Sequence, residues 1–281
     1  MKTKWILQTN IFKEKAVQRM IDCFERLNLL WEAVTIIPFS DTIPKIEPYE
    51  GPIVAYGTTT LMRNLDRAQC WFPGMWYNAE TFRPSIWGNK LEYIWLNRDS
   101  KFFILEDFHQ IKEYFKEHGI VFMRPDSDLK LFDGGVFDFY EFESWYKRLE
   151  INIETQTYKN LSKDTVVLLS PKKNIIREWR CVIIDKHVVA WSLYKANGAL
   201  FTSSSPLHNN PEVSYMANHI AKKDWQLSKA YVVDICETKN NDIYMIELNT
   251  FNASGFYDCD ITSIVHHASK LAEKQWQMKM S

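Results

Sequence analysis

Residues 242–257 read DIYMIELNTFNASGFY. Tyr244, Ile246 and Leu248 alternate with Met245, Glu247 and Asn249, the period-two pattern of a strand with two different faces. One face is apolar. The other ends in a carboxylate and an amide two residues apart, just before the loop Asn252-Ala253-Ser254-Gly255-Phe256-Tyr257. A strand buried on both faces has no use for these groups. A strand with one wet face more often carries Lys or Thr there. Hard oxygen donors at a strand end suit a positive charge in front of them.

Residues 231–236 form a second apolar run, and Lys239-Asn240-Asn241-Asp242 makes the turn between the two. Antiparallel pairing about the centre of that turn sets Asp234 opposite Glu247, with Cβ atoms about 4.5–5.5 Å apart, where like charges repel. Asn249 shares their face. Two readings are open: acids incidental to a solvated hairpin end, or acids drawn together by a hard cation. Under the second, two carboxylates and an amide suit Mg2+ sharing its ligands with a phosphate better than a closed Ca2+ cage.

Upstream, 120–124, 166–169, 175–184 and 188–194 read as strands, the last two as a hairpin about Asp185-Lys186. Residues 141–149, 211–223 and 261–277 read as helices. This part is α+β and mainly antiparallel. Arg124 ends a strand, and Lys130 follows it before Gly134-Gly135. A cation near a glycine turn with free backbone N–H groups can cradle phosphate; an ordinary hairpin with a surface Arg accounts for the same residues. Glu178 and Arg180 share a strand face. They read either as an in-strand pair bridging to neighbours or as a site where the guanidinium fork grips phosphate or carboxylate.

The first 98 residues have a different grammar. Strands at 5–7, 33–39 and 53–56, helical spacing over 12–29 and a helix start at Gly57-Thr58-Thr59-Thr60 describe a small α/β domain with parallel pairing. The stretch 71–95 is dense in aromatics, including Trp71, Trp76, Trp87 and Trp95. It reads as interdomain core or as a platform for stacking substrate rings. Residues 104–118 read as an amphipathic helix closed by Gly119. A boundary is expected near residue 98.

Taken in order, VFMRP (121–125), LKLFDGGVF (129–137), VVLLSP (166–171), IIREWRCVI (175–183), YVVDI (231–235) and the opening stretch resemble the ATP-grasp superfamily of carboxylate–amine ligases. Arg124 stands where most of its members carry Lys. That Arg, with Lys130 downstream and the IELN ending, is similar to the R2K clade, common in phage and bacterial genomes. The resemblance covers roughly residues 100–281, and the first 98 match the small pre-ATP-grasp α/β domain by pattern. It implies an ATP-grasp domain over 99–281, with subdomains at about 99–165 and 166–281. It assigns Asp234, Glu247 and Asn249 to Mg2+. It gives Arg124 and Lys130 to the ATP phosphates under a loop at Gly134 and Gly135, and Val167, Leu168, Leu169 and Ser170 to the adenine side. Arg180, Glu178 and Lys130 become the catalytic set: Arg180 binds phosphate or the acyl intermediate, and Glu178 orients a neighbouring cation. The implied reaction is ATP-dependent ligation of a carboxylate to an amine through an acyl phosphate, releasing ADP. Small molecules, peptides or proteins supply both groups. A kinase, a metal-dependent phosphoesterase and a non-catalytic nucleotide-binding module are the alternatives.

The bulk numbers narrow the field. A chain of 281 residues has room for two modest domains. Its net charge of −1 gives no global attraction to nucleic acid or anionic membranes, so nucleic acid stays possible without being indicated. Five cysteines without a CxxC spacing exclude a zinc ribbon and argue against a disulfide framework. The opening MKTKWILQTNIFKEK is too polar for a signal peptide, and no apolar run spans a membrane. A cytoplasmic protein is expected, in the host cytoplasm if phage-encoded. His187, His266 and His267 read as surface or packing residues.

Overall fold

Five consecutive buried residues, Lys4–Gln8 (β1), form the centre of a parallel sheet. The chain leaves through helix α1 (Glu14–Arg26), returns as β2 (Leu30–Val34), then adds β3 (Ile53–Tyr56), helix α2 (Thr59–Ala68) and β4 (Pro73–Gly74). The order is β2-β1-β3-β4, with β1 parallel to both neighbours. The structure is a computed structural model that describes residues 1–10, 14–37, 40–128, 131–154 and 161–281. The second strand lies earlier than the expected 33–39: it ends at Val34, where its register with Gln8 ends. Pro38 and Phe39 lie outside the described residues. Leu61, Met62 and Leu65 of α2 cover one face of the sheet, against Ile6, Ile53 and Ala55. Trp5, Leu7, Val54 and Tyr56 face the other way and join Val17, Met20 and Phe24 of α1.

A second sheet follows. Helix α3 (Pro84–Lys90) leads to β5 (Lys101–Ile104), helix α4 (Phe108–His118), β6 (Val121–Pro125), β7 (Gly135–Phe137), helix α5 (Phe139–Glu154) and β8 (Val166–Pro171). The order is β5-β8-β6-β7, antiparallel throughout. Helix α4 begins later than the expected residue 104, because 101–104 pair with β8 from Lys101↔Leu169 to Ile104↔Val166. Ile111 and Phe115 of α4 and Phe142 and Tyr146 of α5 pack on Val121, Met123, Val167 and Leu169.

The rest of the chain builds the third sheet: β9 (Ile175–Ile184), β10 (His187–Ala196), β11 (Ala199–Ser203), helix α6 (Pro211–Ala221), β12 (Ala230–Thr238), β13 (Ile243–Thr250) and helix α7 (Ile261–Met280). Its order is β11-β10-β9-β12-β13. Asp185 and Lys186 both have positive φ, the backbone a two-residue hairpin turn requires. Val182, Ile184, Ala190, Ala230 and Val232 pack under α7 together with α1. Asp260 caps α7 by accepting the Thr262 and Ser263 amides.

Met1–Phe82 and Ile175–Ser281 form one compact unit, and Arg83–Asn174 forms another. The aromatic stretch contributes to the interior of each. Trp76 meets Phe251 edge-on at 5.4 Å in the first, and Trp87 meets Trp95 at 5.1 Å in the second. No described helix is long and apolar enough to cross a membrane.

Candidate functional site

The opening hairpin pairs Asp234 with Glu247, as expected, but by an unexpected route. Near the turn, Ile235 faces Met245 and Cys236 faces Tyr244, one residue out of step with the Asp234–Glu247 pair. Ile246 is the extra residue, a β-bulge that absorbs the offset. The bulge also corrects the expected faces. Met245 and Leu248, three residues apart, oppose Ile235 and Val233 on one face. Tyr244, Glu247 and Asn249 oppose Cys236, Asp234 and Val232 on the other.

Strand β9 lies on the far side of β12, and Arg180 is the residue facing Asp234. Arg180, Asp234 and Glu247 therefore form one row across three strands. Arg180 Nε donates to Asp234 Oδ1 at 2.9 Å and Nη2 to Oδ2 at 2.7 Å, a two-bond fork. The third arm, Nη1, donates to the Gly255 carbonyl at 2.7 Å. Asn249 Nδ2 donates to Asp234 Oδ2 at 3.3 Å and to Glu247 Oε1 at 3.0 Å. Burial opposes the charge on Arg180, but Asp234 holds the guanidinium well above its ordinary value. Burial pushes the Asp234 carboxyl up to about 6; Arg180 pulls it down, and Glu247 and Glu178 add to the rise. The two-bond fork is the geometry of a guanidinium on a carboxylate.

A second bulge shapes the neighbouring strand. Pairing of β10 with β9 slips between Leu193 and Lys195, so Tyr194 and Lys195 both reach Glu178. The Tyr194 hydroxyl donates to Glu178 Oε2 at 2.5 Å, and Lys195 Nζ lies 2.9 Å from Oε1. Burial keeps the Tyr194 hydroxyl well above the usual tyrosine range, with Asp234 and Glu178 adding to the effect, so it acts as a neutral donor. The ring of Tyr194 stacks on Tyr257, centroids 4.7 Å apart and planes 7° from parallel. The Arg180 guanidinium carbon lies 5.3 Å from one ring centre and 4.9 Å from the other.

The remaining expected residues belong to the other unit. Arg124 is half-buried on β6, opposite Leu168 of β8. Gly134 packs against it: a Cβ at 134 would stand 3.2 Å from Arg124 Cβ and 3.4 Å from the Met123 carbonyl oxygen. The glycine is there for close approach. Gly135 opens β7 opposite Met123. Val167 and Leu169 lie in the hydrophobic core. Strand β8 is interior, so the backbone of Val167, Leu168 and Leu169 is engaged by β5 on one side and β6 on the other. Pairing with β5 ends at Leu169, so of the four residues Ser170 alone lies beyond it; its hydroxyl donates to Asn97 Oδ1 at 3.1 Å. Lys130 lies outside the described residues.

The donor set suits a hard divalent cation. Two carboxylates meet here with no sulfur or imidazole among them, and the Asn249 amide turns its NH2 to both, so that it would have to turn its oxygen inward to serve as a third ligand. Asp234 Oδ2 accepts from both Arg180 and Asn249, while Oδ1 holds one Arg180 bond and has a lone pair left over. Among the described residues no cluster of three or more His, Cys, Asp or Glu forms a self-sufficient cage, so a cation here would need oxygens from a ligand as well. Sequence reasoning placed Arg180 on a face with Glu178 and missed its pairing with Asp234. The two strands are 54 residues apart in sequence, and no turn fixes their register. Tyr194 and Tyr257 were also missed. Only the bulge and the loop backbone aim them here.

The chain matches the family described as ATP-grasp domain, R2K clade family 3, over residues 80–267. Among solved structures it is similar to the D-alanine–D-alanine ligase from Bacillus anthracis complexed with ATP, at TM-score 0.63 and 13% identity over 99% of each chain. It is similar to D-cycloserine synthetase DcsG, at TM-score 0.62 and 8% identity over 96% of this chain and 99% of that one. It is also similar to the ATP-grasp ligase PsnB complexed with minimal precursor, Mg and ADP, at TM-score 0.52 and 11% identity over 96% and 98%. No curated protein matches. At these identities the likeness concerns the fold, ATP-grasp, with helices and three sheets.

Proposed function

Because the chain belongs to the R2K clade, family 3, of ATP-grasp domain proteins, we propose that it is an ATP- and Mg2+-dependent carboxylate–amine ligase that forms ADP. The observation that carries this reading is the row Arg180–Asp234–Glu247 with Asn249 bonded to both acids. It combines a fixed cation with hard oxygen donors and contains no nucleophile or base of its own. That is what phosphoryl transfer asks of a protein: positioning and charge neutralisation, with little covalent help. In this reading residues 1–98 serve as the pre-ATP-grasp domain and 99–281 as the ATP-grasp domain.

The reaction runs in two steps. An oxygen of the substrate carboxylate attacks the γ-phosphorus of ATP; the bond from that phosphorus to the bridging oxygen breaks, and ADP leaves. An amine nitrogen then attacks the acyl carbon, phosphate leaves, and the nitrogen gives up a proton to solvent. Bound Mg2+ supplies neutralising charge for the triphosphate. Asp234 and Glu247 would hold that ion, with Asn249 joining them once its amide oxygen is turned inward. Arg180, kept cationic and immobile by Asp234, binds the phosphate or acyl phosphate. Arg124 and Lys130 bind ATP phosphates beside Gly134 and Gly135. Val167, Leu168, Leu169 and Ser170 form the adenine side, with Ser170, past the end of β5, offering backbone there. Glu178 orients Lys195 through its 2.9 Å contact. A carboxylate nucleophile is already ionised at neutral pH and needs no base, which is why ligation suits this row better than phosphorylation of a hydroxyl.

The test uses hydroxylamine in place of the amine, over a panel of small-molecule and peptide carboxylates. ADP, phosphate and hydroxamate should appear in equal amounts. A product that keeps the γ-phosphate after hydroxylamine would identify a kinase instead, and Mg2+-dependent hydrolysis of a phosphoester without ATP would identify a phosphoesterase.

A further inference from the structure

The loop after β13 is tied down from the other end of the chain. Asn252 is fully buried; its Nδ2 donates to the Ala55 carbonyl at 2.6 Å, and its Oδ1 accepts the Trp76 amide at 2.8 Å. Gly57 N–H donates to the Asn252 carbonyl at 2.9 Å, and the Tyr56 hydroxyl donates to the Ser254 carbonyl at 2.8 Å. These bonds hold the first half of the loop on β3. Its second half contains Tyr257 at φ 47°, a backbone state unfavourable for a residue with a bulky side chain. What faces that half is Arg19 of α1. One arm of its guanidinium donates to the Tyr257 carbonyl and the other to the Cys259 carbonyl, the latter at 2.6 Å.

We infer that Arg19 is a positioning residue for the non-nucleotide substrate, acting through the loop 254–259; this rests on the ligase reading above. The fork spans two carbonyls on either side of Asp258, which fixes the local path of the chain. With that path fixed, the Tyr257 ring lies flat on Tyr194 and beside Arg180, and the Gly255 carbonyl takes the third arm of Arg180. Arg19 touches neither Asp234 nor Glu247. Its removal therefore leaves the bonds of Arg180 and Asn249 to the acids in place and loosens Tyr257 where it lies on Tyr194 and beside Arg180. The recognition of Mg·ATP and that of the second substrate separate at this residue.

Three variants test the inference: Arg19→Ala, Arg19→Lys and, as a control on the same helix, Arg26→Ala, which loses a contact with Thr262 at the start of α7. Amide hydrogen exchange of peptides spanning 254–259 is measured together with the Mg·ATP dissociation constant by calorimetry. Steady-state constants follow for whichever carboxylate the hydroxamate assay identifies. Arg19→Ala should speed exchange in 254–259 about tenfold or more, because a loop with fewer fixed backbone contacts opens more readily. It should raise KM for the non-nucleotide substrate about tenfold while kcat and Mg·ATP affinity stay within about threefold. Arg19→Lys, reaching one carbonyl at a time, should fall between, and Arg26→Ala should match the wild type. Unchanged exchange in Arg19→Ala overturns the inference. So does faster exchange with an unchanged KM, or an equal loss of Mg·ATP affinity. If Arg19→Ala does not fold, the same readouts on Arg19→Lys decide. If the wild-type protein forms no hydroxamate with any carboxylate, the ligase reading has fallen; exchange alone then decides whether Arg19 holds the loop.

Discussion

The two antiparallel sheets place their charges by opposite means. In the five-stranded sheet, Arg180 and Asp234 sit on adjacent interior strands, 8% and 1% exposed, and are bonded to each other before any ligand arrives. In the four-stranded sheet, Arg124 stands on β6 next to the edge strand β7, and its neighbourhood is shaped by the close approach of Gly134. The first arrangement is rigid because removing either partner strands a buried charge. The second is a backbone arrangement around a half-buried cation, which costs little to disturb. One sheet carries charges locked to each other. The other carries the Arg124 cation which, under the ligase proposal, would adjust to a nucleotide.

The largest expected effect breaks the first arrangement. Asp234→Ala leaves the Arg180 guanidinium buried without its counter-ion and should cost about 3–5 kcal/mol in urea unfolding, together with all Mg2+-dependent ATP turnover. A loss under about 1 kcal/mol would show that the row is not held by this pair.

Glu247→Gln probes the same row at the edge strand, where side-chain shape is kept and charge is removed. Unfolding free energy should stay within about 1 kcal/mol, while ADP formation falls about a hundredfold, or about 2.7 kcal/mol of transition-state free energy. Chelation of Mg2+ in the wild type should give a loss at least as large. Activity that survives both would remove the acids from the phosphate chemistry.

Arg124→Lys tests the other sheet. If the guanidinium grips two phosphate oxygens, Lys keeps the charge and loses the fork, for a rate loss of about tenfold, or about 1.4 kcal/mol. Full activity would reduce Arg124 to a point charge. The smallest effect sharpens the contrast directly. Mg·ATP should slow amide exchange over 131–137 severalfold and leave β12 nearly unchanged, because interior strands open only with the fold as a whole. Equal slowing in both would erase the distinction between a fixed and an adjustable sheet.

Much of this architecture was legible in the sequence, for identifiable reasons. Period-two runs bounded by turn residues predict two of the three hairpins of the third sheet, β9–β10 and β12–β13 but not β10–β11, and the alternation of strands and helix predicts the parallel sheet within the first 98 residues. The pairing of Asp234 with Glu247 came from turn arithmetic that held at the site although it fails next to the turn, where the bulge shifts the count. What stayed hidden was non-local. The Arg180–Asp234 fork needs the register between β9 and β12, which no turn sets. The hold of Arg19 on Tyr257 joins residues 238 apart. Strand β5 was missed because Lys101–Ile104 is too short to show a period and becomes a strand only by pairing with β8.

The bulge at Ile246 makes the hairpin unequal in how it tolerates changes of length. Were the pairing nearest the turn to run on with Ile246 paired instead of bulged, Asp234 would face Ile246, and Glu247 and Asn249 would move to the face now held by Met245 and Leu248. Lineages of this chain are therefore free to lengthen or shorten 239–242 and even to lose Ile246, which closes the bulge with Asp234 still opposite Glu247, and are barred from losing Glu247 or Leu248, which takes the acid away or moves Asn249 to the other face. An insertion or deletion map of the gene should show a tolerant turn and bulge beside an intolerant strand end, with the boundary between them only a few codons wide.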